Sequence, residues 1–190
     1  MPKQRITKEM VMDAAFQILR QGGEEQVLVK SIATALSCSV QPIYSYCENM
    51  DALRQEISEM AADFMRNYIG EHLNKENPFE STGKAYISFA KEEPHLFKSY
   101  FLRKRSGINN FEDLYAAEAE KNMAVYLAKT LGISESSAKK LHMNMIVYNM
   151  GLSFMMISSG CNLSEQELGG KLEGAYKAFL SIAKNEGVAI

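Results

Sequence analysis

The chain of 190 residues contains no tryptophan and only three cysteines, Cys38, Cys47 and Cys161. Three thiols cannot all pair within one chain, and none stands in a C-x-x-C arrangement. Free thiols in a reducing, cytoplasmic setting are therefore expected. Histidine is equally scarce. His72, His95 and His142 fall in separate elements, with no H-E-x-x-H and no acid pair at metal-ligand spacing. "GLSFMMISSG" (151–160) is neither a nucleophile elbow nor a phosphate loop. No catalytic residue, metal or cofactor is indicated. No stretch alternates with period two for long enough to argue a sheet. An excess of charge of one sign is missing too: 21 basic residues face 23 acidic ones, so the whole chain gives no electrostatic pointer to nucleic acid. The opening "MPKQRITKEM" has no apolar run after its basic residues, so no secretory signal is expected there.

What is present is ordinary globular material, 46% hydrophobic and 23% charged, with twelve methionines. Methionine fills irregular gaps, so the richness fits either a pliable pocket or core packing. "MNMIVYNMGLSFMMISSGCNLS" (143–164) carries no charge and is long enough to span a bilayer. Asn144, Asn149, Ser153, Ser158, Ser159 and Asn162 are costly in lipid, however. A helix buried on most sides within protein is expected instead, with no membrane partner.

Helical periodicity runs along the chain. Thr7 caps a first helix with Met10, Val11, Ala14, Ala15, Ile18 and Leu19 on one face, and Gly22-Gly23 ends it. Val29, Ile32, Ala33 and Leu36 make a second, shorter stripe. A third helix is expected from about Val40 to Tyr46, with Ser39 as its cap and Pro42 in the first turn. Asn49 caps a long fourth helix. "NKENPFEST" (74–82) reads as a break, and Pro94 opens a short aromatic helix. One helix is expected from about Phe111 to Leu131, stopped by Gly132. Ser134 caps the next, and a last one runs from about Glu165 to Lys184. The fold class is all-α.

The second and third helices, hinged at Leu36-Ser37-Cys38-Ser39, describe a helix-turn-helix. Ala33 lets them approach closely, while Ile32, Leu36, Val40 and Ile43 form the core beneath. The hydroxyl-rich remainder, Ser39, Tyr44, Ser45 and Tyr46, then faces outward, as a helix that reads base edges and phosphates requires.

Residues 6–53 resemble the DNA-binding domain of TetR-type transcriptional regulators. Ile6, Ala14-Ala15, Leu19, Gly22, Ile32-Ala33, Leu36, Ser39, Ile43-Tyr44, Asp51 and Leu53 carry the pattern. "YISFAKEEPHLFKSYF" (86–101) resembles a segment common in the ligand-binding domains of the same family. There are departures. Ser37 stands at a turn position that commonly holds glycine, Leu28 where threonine often caps, and Cys47 where an aromatic is usual. Met50 replaces a lysine that approaches phosphate, which weakens binding to any sequence alike.

The resemblance implies a helix-turn-helix DNA-binding domain over residues 1–50 and a larger helical effector-binding and dimerisation domain over 51–190. Lys3 and Arg5 in the arm, with Lys30 and Thr7, are placed for phosphate. Tyr44 and Tyr46 reach phosphate with their hydroxyls. Gln41 pairs with adenine, and Ser39, Pro42 and Ser45 contact base edges or a thymine methyl. Residues 1–55 hold six basic and six acidic side chains, so modest nonspecific affinity and a need for a dimer are expected. The two final helices, packed on those of a second copy, would form the dimer interface. For an apolar or aromatic effector the candidate cavity residues are Phe64, Tyr86, Phe89, Phe97, Phe101, Met123, Tyr126, His142, Met145 and Tyr148; core filling is the competing role for each. The expected partners are double-stranded DNA, a second copy and a small molecule. The expected activity is a repressor released from an inverted-repeat operator. The alternatives are a redox-responsive regulator using Cys38 and Cys47, or a helical small-molecule-binding protein or enzyme.

Overall fold

The computed structural model describes residues 6–103 and 106–185, so Lys3 and Arg5 lie outside the described residues. Among the described residues the chain is all helical, without a strand. In chain order the helices are α1 (Lys8–Gly22), α2 (Val29–Ala35), α3 (Gln41–Tyr44), α4 (Met50–Glu71) and α5 (Pro78–Glu92). They continue with α6 (Pro94–Leu102), α7 (Phe111–Glu118), α8 (Met123–Leu131), α9 (Glu135–Ser159) and α10 (Glu165–Asn185). No helix among the described residues is long and apolar enough to cross a membrane.

The residues pack as two compact units. One comprises Met1–Glu71 with Phe89–Lys104, the other His72–Ser88 with Arg105–Ile190. In the first, α1 lies against α2, α4 and α6 and buries Val11, Ala15, Phe16 and Leu19. Thr7 Oγ1 accepts from Met10 N at 3.2 Å, and Gly23 ends the helix at φ 85°, as the sequence predicts. Arg20 then ties α1 to the residue before α6. Its guanidinium makes a bidentate pair with Glu93, with Nε 2.9 Å from both carboxylate oxygens, and lies 5.2 Å over the Phe64 ring.

The turn between α2 and α3 is closed by Cys38 N donating to Ala33 O at 2.9 Å, and it puts Ser37 at φ 51°. That is the left-handed conformation glycine would adopt without strain. The third helix is shorter than its expected span from Val40 to Tyr46. Val40 rather than Ser39 precedes it, without a side-chain cap. Beyond Tyr44 the bonding tightens to three-residue turns, Ser45 N to Pro42 O and Tyr46 N to Ile43 O, which close the helix.

The second unit is organised on α9, which packs against α8 and α10. Ser134 caps it by accepting from Ser137 N at 3.0 Å. Leu141, Met145 and Ala183 form one apolar cluster, and Ile87, Met156, Leu168 and Leu172 another. The single helix expected over 111–131 is two. Asn122 at φ 68° breaks it after the extended Ala119. A continuous helix would set buried Tyr115 about half a turn out of phase with buried Ala124, and the break lets both face inward. The expected break at 74–82 is also half helical, because Pro78 opens α5, where a missing N–H costs nothing.

Ser37→Gly is expected to stabilise the protein by about 1 kcal/mol, the relief of left-handed strain less the added chain entropy. Urea unfolding checks this, and an unchanged or lower midpoint contradicts it.

Candidate functional site

Two places gather the expected residues. In the first unit, Ile32, Ala33 and Ile43 are buried beneath α2 and α3. Thr7, Lys30, Ser39, Gln41, Tyr44 and Ser45 are exposed, and Pro42 is half-buried. Tyr44 is 51% exposed and has Gln41 one turn earlier on the same helix. Thr7 accepts with its oxygen and keeps its hydroxyl proton for an outside acceptor. Ser45 Oγ donates back to Gln41 O at 3.3 Å.

Tyr46 departs from expectation. Its hydroxyl donates to Ile6 O at 2.7 Å, so its one donor ties the end of the helix-turn-helix to the chain before α1. A phosphate offers only acceptors, and that donor is already engaged. Leu28 and Val40 are exposed beside this surface, at 48% and 38%, and were not among the expected contacts. Val40 was instead expected beneath the helices. The cysteines fare unevenly. Cys47 is buried, donates to Ile43 O at 3.3 Å, and burial pushes its thiol pKa up, which disfavours the thiolate that oxidation needs; Cys38 in the turn is half-buried.

The second place is a cavity of about 300 Å³ in the second unit. It takes Leu73 and Lys75 from the segment before α5, and Pro78, Phe79 and Thr82 from α5. From α8 come Met123, Tyr126 and Leu127, and from α9 His142, Met145, Ile146 and Asn149. Of the ten candidate residues, Met123, Tyr126, His142 and Met145 meet here; the other six do not line this cavity. Phe64 and Phe89 pack ring to ring at 6.2 Å in the first unit, and Phe97 and Phe101 do the same there. Tyr148 packs edge-on to Phe179, and Tyr86 is buried. Aromatic bulk marked these six as cavity material, and core packing claimed them.

Asn149, noted in the sequence only as a polar group in the uncharged segment, is the residue missed. Its Oδ1 is buried without a hydrogen-bond partner. The signal was available: 142, 145, 146 and 149 stand at i, i+3, i+4 and i+7, one helix face. His142 Nδ1 lies 3.0 Å from the Tyr115 hydroxyl. Burial lowers the His142 pKa to about 4, and burial followed by Glu112 and Glu135 raises that of Tyr115 to about 12. Both groups are neutral at neutral pH.

No family model matches the sequence. By sequence the chain is 21% identical over 105 residues to the uncharacterized HTH-type transcriptional regulator YobS of Bacillus subtilis. That match takes in 54% of this chain and 55% of YobS, so the chain spans about half the length of this curated relative. A TetR-family transcriptional regulator from Haemophilus influenzae superposes with a TM-score of 0.61 at 17% identity, over 90% of this chain and 94% of that one. A variant of TetR from Acinetobacter baumannii, in complex with minocycline, does so at 0.63 and 13%, over 97% and 99%. The chain has the fold of the TetR-family transcriptional regulators.

The lowered His142 pKa generates a pH dependence. An unfolded histidine titrates near 6.5, above the folded value, so the unfolded state takes the proton first. His142 therefore makes stability fall as pH drops from about 6.5 to about 4, by of order 3 kcal/mol in all. Urea unfolding across that window should show the slope in the natural protein and its reduction in His142→Leu; equal slopes contradict the assignment.

Proposed function

We propose that this protein is a DNA-binding transcriptional regulator of TetR type, a dimeric repressor that leaves an inverted-repeat operator when a small molecule binds. The observation that carries the reading is the exposed row Ser39, Gln41, Tyr44 and Ser45 on and flanking α3, above a buried Ile32, Ala33 and Ile43. A short helix that packs on one side and offers an amide, a phenol and hydroxyls on the other suits a major groove. Lys30 and Thr7 meet phosphate, Gln41 reads a base, and residues 1–50 form the reading head. Tyr46 holds that head together and is left out of the contact set. The regulator homologues, by sequence and by fold, support the same class.

Dimerisation is assigned to α9 and α10 in the 51–190 domain. Val147 and Met155 are 59% and 68% exposed on α9, and Ile182 is 53% exposed on α10 beside exposed Gly170, Gly174 and Ala178. Apolar and small residues on the open faces of paired helices suit an isologous contact. The effector is assigned to the cavity between α5, α8 and α9; the fold relative in complex with minocycline supports a small molecule. A cytoplasmic location follows from the DNA target. The redox reading loses Cys47, a buried thiol, and would rest on half-buried Cys38 alone.

Purified protein is expected to enrich an inverted repeat from fragments of its source genome. Gln41→Ala should cost about 1–3 kcal/mol and relax one base position in each half-site. Lys30→Ala should weaken all sequences alike and lower the salt slope by about one per subunit. Uniform, salt-sensitive retention without enrichment, or no retention, contradicts the reading.

A further inference from the structure

The residue that opens α3 fits its local surroundings poorly. Val40 stands at the N-terminal boundary of the helix, where a serine, threonine, aspartate or asparagine would accept a hydrogen bond from a first-turn N–H. A valine has no group with which to do so, and no side chain caps α3. Burial does not compensate. The helical pattern expects Val40 in the core under the helix-turn-helix, yet it is 38% exposed, while Ile32 and Ile43 are buried. A single exposed aliphatic side chain is ordinary on a protein surface. One that gives up both a cap and burial gains nothing from the free chain. Such a conflict between a residue and its local setting marks the places where a partner supplies the compensation.

Its neighbours restrict what that partner offers. Gln41 follows it directly, and Tyr44 lies one turn on, with Tyr44 N 3.5 Å from Val40 O. Val40 and Tyr44 thus share one side of α3. Gln41 and Ser45, joined by the Ser45 Oγ bond to Gln41 O, share the adjacent side. All four are exposed. When a recognition helix enters a major groove, its N-terminal residues come nearest the base edges. Ser39 and Gln41 bring hydrogen-bonding groups there; Val40, between them, brings only two methyl groups. Base edges carry donors and acceptors, which an aliphatic group desolvates without pairing, and one apolar group, the C5-methyl of thymine.

We infer that Val40 is a specificity-determining residue that packs against the C5-methyl of a thymine, so that each half-site holds a thymine selected by its methyl group rather than by hydrogen bonds. The inference rests on the DNA-reading proposal above and names part of the sequence chemistry that surface selects. Cytosine, which lacks the methyl, and the purines, whose edges are polar, are poorer partners at that position. Leu28 is more exposed still, but it precedes α2 two residues before Lys30, on the phosphate side, where there is no methyl to meet.

The test is fluorescence anisotropy of the full chain with the enriched repeat, and with duplexes in which each thymine in turn, in both half-sites, is replaced by deoxyuridine. That exchange removes one methyl and leaves every hydrogen-bonding group in place. At one position uracil is expected to weaken binding about fourfold per half-site, the worth of one buried methyl group, and of order tenfold for the two together. In Val40→Ala the thymine and uracil duplexes should bind equally at that position. In Val40→Ile, which keeps the branched methyls, the preference should remain. Both variants should unfold at the natural urea midpoint, so that a lost preference is not lost folding. Uracil tolerated at every position overturns the inference. So does a preference that survives Val40→Ala, as it would if Pro42 supplied the contact, or an enriched repeat with no thymine in its half-sites. Enrichment of no repeat overturns the regulator reading and this inference with it. An enriched repeat bound without a Val40-dependent methyl preference overturns this inference alone.

Discussion

A helix with no charged side chain from Met143 onward has to be covered, and the second unit is arranged around covering α9. Being apolar nearly all round, it cannot present one face to a core and another to water as an ordinary surface helix does. Its faces are divided among different neighbours. Leu141 and Met145 meet α10 near Ala183, and Met156 meets Leu168 and Leu172. His142, Met145, Ile146 and Asn149 line the cavity, and Val147 and Met155 stay open. The same lack of charge that makes the segment look membrane-like therefore yields a cavity wall and a candidate association face on one helix.

The first unit rests on a different kind of contact. Its hydrophobic core aligns α1 with α2 and α4, but orientation also depends on directional bonds. Arg20 holds both oxygens of Glu93 through Nε and Nη2, Tyr46 holds Ile6, and Cys38 N closes the turn on Ala33. Tyr46 is the instructive case. A phenol at the end of a helix-turn-helix suggests phosphate contact, yet its donor secures the chain entering α1. The exposed polar surface of the helix-turn-helix is consequently smaller than the hydroxyl count implies, and it centres on Gln41 and Tyr44.

Much of this was legible in the sequence wherever a single residue decides local geometry. Thr7, Asn49 and Ser134 cap as their chemistry demands, Gly132 and Gly160 end helices left-handed, and Ser37 takes the conformation of the glycine it replaces. Helix phase was harder to read. The 111–131 pattern looked continuous because the break at Asn122 serves tertiary burial of Tyr115 and Ala124 rather than any strong local stop signal. The cavity was legible in four of its residues only. Aromatic content identifies side chains that must be buried without saying in which unit, so Phe64, Phe89, Phe97 and Phe101 were assigned to a cavity in whose walls they take no part. Asn149 was hidden by its composition-level reading as a cost in lipid, although its helical register with His142 pointed inward.

The central claim is that occupation of the cavity governs hold on DNA. The direct measurement is fluorescence anisotropy of a labelled duplex carrying an enriched repeat, titrated with protein in the presence and absence of an apolar aromatic probe, 2-naphthol, shown by calorimetry to bind. At least tenfold weaker DNA binding with the probe is expected, and no effect of it in Ile146→Trp, where the added ring fills the cavity. Unchanged DNA affinity while the probe is bound to the same preparation would contradict this.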